Sequence, residues 1–182
     1  MDHTSAVQTV NWELTKKTGE LALPVMQNIT SRLTTVRCAV LCTADGYNVC
    51  SMGISEAEIR KMASLSSSLF SISKSVVNIV SDDKEETLRL ANMKKEILIS
   101  VDTLLISATE VENPFFSNLV LLISAANVTN GLLIVTERYI VSGLEKIYCT
   151  KEYGQFAANS FAKLDKGESP RVKLIREKLE KM

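Results

Sequence analysis

Histidine is almost missing from this chain of 182 residues, which has one, His3. Ser-His-Asp and Cys-His nucleophilic systems and His-based metal sites therefore lack their central residue, and most hydrolase chemistry goes with them. Glycine is sparse as well. Seven are dispersed along the chain, and neither G-x-x-x-x-G-K-[ST] nor G-x-G-x-x-G occurs, so no phosphate cradle is formed and the chain is not itself a nucleotide hydrolase. An excess charge of one sign is also absent: 21 basic and 21 acidic residues cancel, leaving no global field to attract nucleic acid or an anionic membrane. No uninterrupted apolar run approaches the roughly 18 residues of a membrane span. The nearest, 119–135, is broken by Ser124, Asn127, Thr129, Asn130 and Gly131. The N-terminus, MDHTSAVQTVNWELTKK, has no basic region followed by an apolar core. A soluble, cytoplasmic protein without membrane insertion is expected.

The four cysteines form no CxxC pair. Cys38, Cys42 and Cys50 fall in apolar strands and Cys149 follows a helix, and no histidine completes a ligand set. They read as reduced thiols that pack as small hydrophobes, with no metal and no cofactor implied. The paired carboxylates Asp82-Asp83 and Glu85-Glu86 sit in a polar loop that would not split their pKa values, so they read as solvated.

What is present is a core. Hydrophobic residues make up 46% of the chain, enough for one domain with short tails. Residues 1–19 read as an N-terminal arm or short helix stopped at Gly19. From there Val25, Ile29, Leu33 and Val36 recur at helical spacing, with Pro24 suited to a first turn, which places a helix over about 21–35. In VRCAVLCTADGYNVCSM, 36–52, two apolar strands flank an Ala-Asp-Gly turn, and Asp45-Gly46 supplies the positive φ angles of a tight hairpin. Ser55 and Glu58 form a capping box that opens a helix running without Gly or Pro to about Ser81. Residues 87–93 read as strand or helix. ILISV (97–101), LLISA (104–108) and LLISA (121–125) read as three strands, joined by a short turn and by the loop EVENPFFSN at 110–118. Their nearly continuous apolarity requires cover on both faces, supplied by the first helix and by a helix over 130–147 on one side. The domain should therefore span 20–148, and the charged residues 149–182 read as an attached helical tail.

The long helix carries two stripes. Met62, Leu65, Leu69, Ile72, Val76 and Ile79 make a seam that must be covered, and Ser64, Ser68, Ser71 and Ser75 repeat on an adjacent face. The serines are either a solvated surface or a dimer interface where a second copy of the helix approaches closely; a solvated face would ordinarily favour Glu, Lys and Arg. Phe115 and Phe116, adjacent after Pro114, include either an exposed anchor for a partner or a loop aromatic folded over the core. Arg37 and Arg138 are candidate contacts for an anionic partner, or ordinary surface charges.

The stretch 33–52, L-x-x-V-R-C-A-V-L-C-T-A-D-G-Y-N-V-C-S-M, resembles the signature of the roadblock / dynein light chain family, in which a helix leads through V-R-G-A into a strand, a D-G hairpin and a second strand. The serine-rich helix, the strand trio and N-G-L-L-I-V-T-E-R follow in the family's order, so the resemblance covers roughly 20–148. Cys38 stands where a glycine is frequent. The resemblance implies an α+β fold, a three-layer α/β/α roadblock-like domain with a five-stranded, mostly antiparallel sheet, one long helix on one face and two helices on the other. It also implies a non-enzymatic homodimer whose sheets join edge to edge and whose long helices pair, acting as regulator or scaffold of a small Ras-like GTPase, without a catalytic residue of its own. An adaptor subunit with no effect on GTP hydrolysis is the alternative. A small-molecule sensor with a pocket beneath the long helix is a third.

Overall fold

The computed structural model describes residues 11–80 and 96–182, so the expectation for 87–93 lies outside the described residues. Helix α1 spans Trp12–Arg32 and is capped by Asn11, whose side chain accepts a hydrogen bond from the Leu14 amide at 3.0 Å. Its buried stripe, Leu14, Thr18, Ala22, Met26 and Ile29, keeps helical spacing through the supposed stop at Gly19. That expectation is corrected by packing. A Cβ on Gly19 would lie 2.4 Å from the Val49 carbonyl oxygen, so the residue is small because α1 presses on a strand, not because the helix ends. Pro24 lies inside the helix instead of in its first turn.

Strand β1 (Val36–Thr43) pairs antiparallel with β2 (Asn48–Met52), with a bulge between Leu41 and Cys42. Only Gly46 of the connecting residues takes a positive φ, 91°, so a single left-handed residue closes the hairpin where two were expected. Thr43 anchors it: its amide donates to the Tyr47 carbonyl at 2.8 Å, and its hydroxyl accepts from the Tyr47 amide at 2.9 Å. Helix α2 (Glu56–Val80) follows; the Ser55 hydroxyl donates to the Glu58 carboxylate and holds its pKa below the usual range. Strands β3 (Glu96–Val101), β4 (Leu104–Val111) and β5 (Leu119–Ala126) complete one antiparallel sheet of order β2-β1-β5-β4-β3. Helix α3 spans Asn130–Tyr148, α4 spans Lys151–Leu164 and α5 spans Pro170–Glu180.

Alternation along the strands sorts the core into two layers. Ala39, Leu41, Leu105, Leu121 and Ile123 pack with Met26 and Ile29 of α1 and Leu133, Ile140 and Leu144 of α3. Val40, Cys42, Ala108 and Val120 pack on the opposite side with Ala63 and Phe70 of α2. The three-layer arrangement is as expected: one long helix on one face, two helices on the other.

The division at 148 is not. Tyr153, Ala157, Phe161, Val172 and Ile175 are buried in the same core as α1 and α3, so α4 and α5 are built into the domain and are not an attached tail. Buried hydrogen bonds fasten them. The Tyr153 hydroxyl shares a hydrogen bond with Thr18 Oγ1 at 2.7 Å and accepts from Asn113 Nδ2 at 2.8 Å, and the Tyr148 hydroxyl donates to the Thr18 carbonyl at 3.3 Å. At the surface Lys163 Nζ donates to Glu13 Oε1 at 3.0 Å, which ties α4 to the first turn of α1. Residues from 12 onward are likewise part of the fold and not of an arm.

Candidate partner-binding face

The inward side of α2 consists of Ala63, Ser66 and Phe70, all buried. Small residues at 63 and 66 let the helix settle on a sheet face already filled by Val40 and Val120. Its buried serine needs no external partner, because Ser66 Oγ donates to the Met62 carbonyl at 2.8 Å. Of the seam that must be covered, Met62 packs beside this sheet-side cluster, while much of the rest faces away from it. Leu65, Ile72 and Val76 are exposed at 43%, 58% and 49%, while Met62 and Leu69 are half-buried. The side chain of Ile79 lies outside the described residues.

Ser64, Ser68, Ser71 and Ser75 are all exposed, and helical geometry sets them beside Leu65, Ile72 and Val76. The two stripes form one outward face. Ser68 Oγ donates to the Ser64 carbonyl at 2.9 Å and Ser75 Oγ to the Ser71 carbonyl at 3.1 Å. These hydroxyl protons are already used within the helix, so covering Ser68 and Ser75 strands no donor. At the N-terminal end of α2 an open cleft of about 710 Å³ is lined by Trp12, Tyr47, Glu56, Arg60 and Ser64 among others. Trp12 is 67% exposed and meets Tyr47 edge to face, ring centroids 6.2 Å apart. Sequence reasoning missed this pair because Trp12 was assigned to an arm and Tyr47 to a strand. The signal available was two amphipathic aromatics flanking the first helix and the Asp-Gly turn.

The other candidates do not join this face. Phe115 is buried against Tyr153, ring centroids 6.4 Å apart, so of the two readings it is the loop aromatic folded over the core; Phe116 is half-buried against the same core. The loop that carries them is closed by α5, whose Lys178 Nζ donates to the Pro114 carbonyl at 3.0 Å. Arg138 lies on α3, across the sheet from α2, and pairs with Glu96 Oε2 at 3.1 Å. Arg37 is exposed at the bulge where β1 meets β5. Burial pushes the thiols of Cys42 and Cys50 up to about 12, and they face opposite layers, so the two sulfurs do not converge on one site.

Among the described residues no group of three or more His, Cys, Asp or Glu is placed to hold a metal, and no helix is long and apolar enough to cross a membrane. No family model and no curated protein matches the chain. Solved structures do. A Roadblock/LC7 domain from Streptomyces avermitilis aligns over 68% of this chain and 91% of its own, at 18% identity and a TM-score of 0.53. Myxococcus xanthus MglB aligns over 77% of this chain and 92% of its own, at 15% identity and a TM-score of 0.57. The helix, hairpin, long helix, strand trio and closing helix of this chain are thus the roadblock/LC7 fold.

Proposed function

We propose that two copies of the chain pair through the outward face of α2 and the adjoining β3 edge, and that the pair is a non-enzymatic regulator or scaffold of a small Ras-like GTPase. The observation that carries the reading is the α2 face, where a strip of small residues, with the hydroxyls of Ser68 and Ser75 spent within the helix, runs beside exposed Leu65, Ile72 and Val76. Covering the remaining exposed area of each of those side chains stabilises pairing by roughly 1 kcal/mol, so a symmetric pair gains several kcal/mol toward the association cost. β3 supports the same geometry because, among the described residues, it ends the sheet. The likeness to MglB and to a Roadblock/LC7 domain supports the GTPase as partner through the sequence resemblance described above.

The test uses the purified chain and the Ras-like GTPases of its own source, each loaded with GDP or a non-hydrolysable GTP analogue. Nucleotide-dependent binding is expected. Binding with an altered hydrolysis rate identifies a regulator, and binding with an unaltered rate a scaffold. Absence of binding to any of them in either nucleotide state overturns the proposal.

A further inference from the structure

Two exposed aromatics flank the cleft at the N-terminal end of α2, and both are fixed from behind. Trp12 is the first residue of α1, whose start the Asn11 side chain caps, and Tyr47 closes the β1–β2 hairpin with its carbonyl and its amide both bonded to Thr43. The rings are nevertheless 67% and 42% exposed and meet only edge to face, so each keeps ring surface open to a ligand. Trp and Tyr left to water on well-anchored elements have the composition of a binding hot spot.

The side chains around the rings can all donate a hydrogen bond: Trp12 through Nε1, Tyr47 and Ser64 through their hydroxyls, and Arg60 through its guanidinium. None of these four groups has a hydrogen-bond partner among the described residues. A matching ligand is rich in acceptors and poor in donors. A helix has its carbonyls spent internally, and an added β-strand brings as many N–H as C=O groups. A polyproline II segment has no internal hydrogen bonds, and each proline in it offers a carbonyl without an N–H. Its rise of about 3.1 Å per residue carries two residues across the 6.2 Å between the ring centroids, so one dipeptide reaches both aromatics. Glu56 lines the same cleft, and its carboxylate has no ion-pair partner among the described residues. It complements a basic residue next to the prolines.

We propose that this cleft is the docking site for a proline-rich segment of a partner protein in the polyproline II conformation, with prolines on Trp12 and Tyr47, their carbonyls on Arg60 and Ser64, and a flanking Lys or Arg beside Glu56. The site is carried by a single chain. It rests on neither the pairing nor the GTPase proposed above, so either reading can fail without the other.

Trp12 is the single tryptophan, and its emission reports the cleft directly. The full chain is titrated with a capped peptide of about ten prolines and with a Gly-Ser peptide of equal length, which is flexible and lacks the preformed helix. A saturable change in Trp12 emission is expected with the first and none with the second. Tyr47→Ala, checked for unchanged circular dichroism, should weaken binding on the order of tenfold or more, as the loss of a hot-spot aromatic does. A proline peptide ending in Arg should bind more tightly than one ending in Glu, and Glu56→Gln should narrow that difference. No saturable change up to millimolar proline peptide, an equal response to the Gly-Ser peptide, undiminished affinity in folded Tyr47→Ala, or an acidic flank that binds as well as a basic one overturns the proposal. Trp12 emission that moves with protein concentration alone puts a second copy in the cleft and overturns it as well.

Discussion

Phe161→Ala distinguishes an integral α4–α5 hairpin from a dispensable tail. Phe161 is 1% exposed, lies in the core shared by α1 and α3, and is covered from outside by the Arg171 guanidinium, 4.5 Å above the ring. Truncation removes the transfer energy of the ring and leaves a cavity, a combination that costs about 3–5 kcal/mol for a buried Phe. The loss of the Arg171 contact adds about 0.5–1 kcal/mol. A total near 4 kcal/mol is a large share of the roughly 5–15 kcal/mol that holds a domain folded. With a urea m-value of about 2 kcal/mol/M, the midpoint should fall by about 2 M at unchanged slope. Far-UV circular dichroism is the suitable probe, since the single tryptophan, Trp12, is largely exposed at the far end of α1. Leu174→Ala, at a site 54% exposed on α5, is the control and should leave the midpoint within a few tenths of a molar. A midpoint shift below about 0.5 M for Phe161→Ala would refute the reasoning, because a hairpin that shares the core cannot lose its largest apolar side chain at so little cost.

Gly19→Ala should lower the thermal midpoint although alanine is the better helix former, because the new Cβ meets the Val49 carbonyl at 2.4 Å and α1 must withdraw from β2; a raised midpoint would mean the approach is not tight. Tyr153→Phe removes a hydroxyl hydrogen-bonded at 2.7 and 2.8 Å to Thr18 and Asn113 and should cost about 1–3 kcal/mol in chemical denaturation, with no change in secondary structure. Glu137 supplies a pH dependence whose sign follows from its raised pKa. The folded chain holds the proton up to about 7 and the unfolded chain releases it near 4.5, so stability is full below about 4.5 and falls as pH rises to about 7. Measured as wild type minus Glu137→Gln, the fall should be about 3 kcal/mol across that window; a flat difference contradicts the buried carboxyl.

The layers were legible in the sequence because they depend on local period. Apolar residues at helical spacing in α1 and α3 and the continuous apolar runs of β4 and β5 mark elements covered as their patterns require. The readings that failed depend on contacts between distant segments. Gly19 looks like a helix stop until Val49 is seen beside it, and nothing within a local window reports that carbonyl. The charge of α5 suggested an attached tail, although Val172 and Ile175 suffice to bury one side of a short amphipathic helix. In α2 the larger apolar residues mark a seam that must be covered, but not by what, and a sheet face already crowded by valines takes the smaller Ala63 and Ser66 with Phe70. The serine stripe was found from sequence as a small-residue face. Its continuity with exposed Leu65, Ile72 and Val76 became visible only once the other side of α2 was occupied.

Pairing through the outward face of α2 is the central claim, and light scattering of the wild-type chain against Ser68→Glu tests it most directly. The wild-type chain should scatter with twice its mass of 20.1 kDa, and Ser68→Glu, which sets a carboxylate into the middle of the face, should scatter as a single chain with unchanged circular dichroism. A folded Ser68→Glu chain that keeps the doubled mass, or a wild-type chain of single mass at high micromolar concentration, would contradict it.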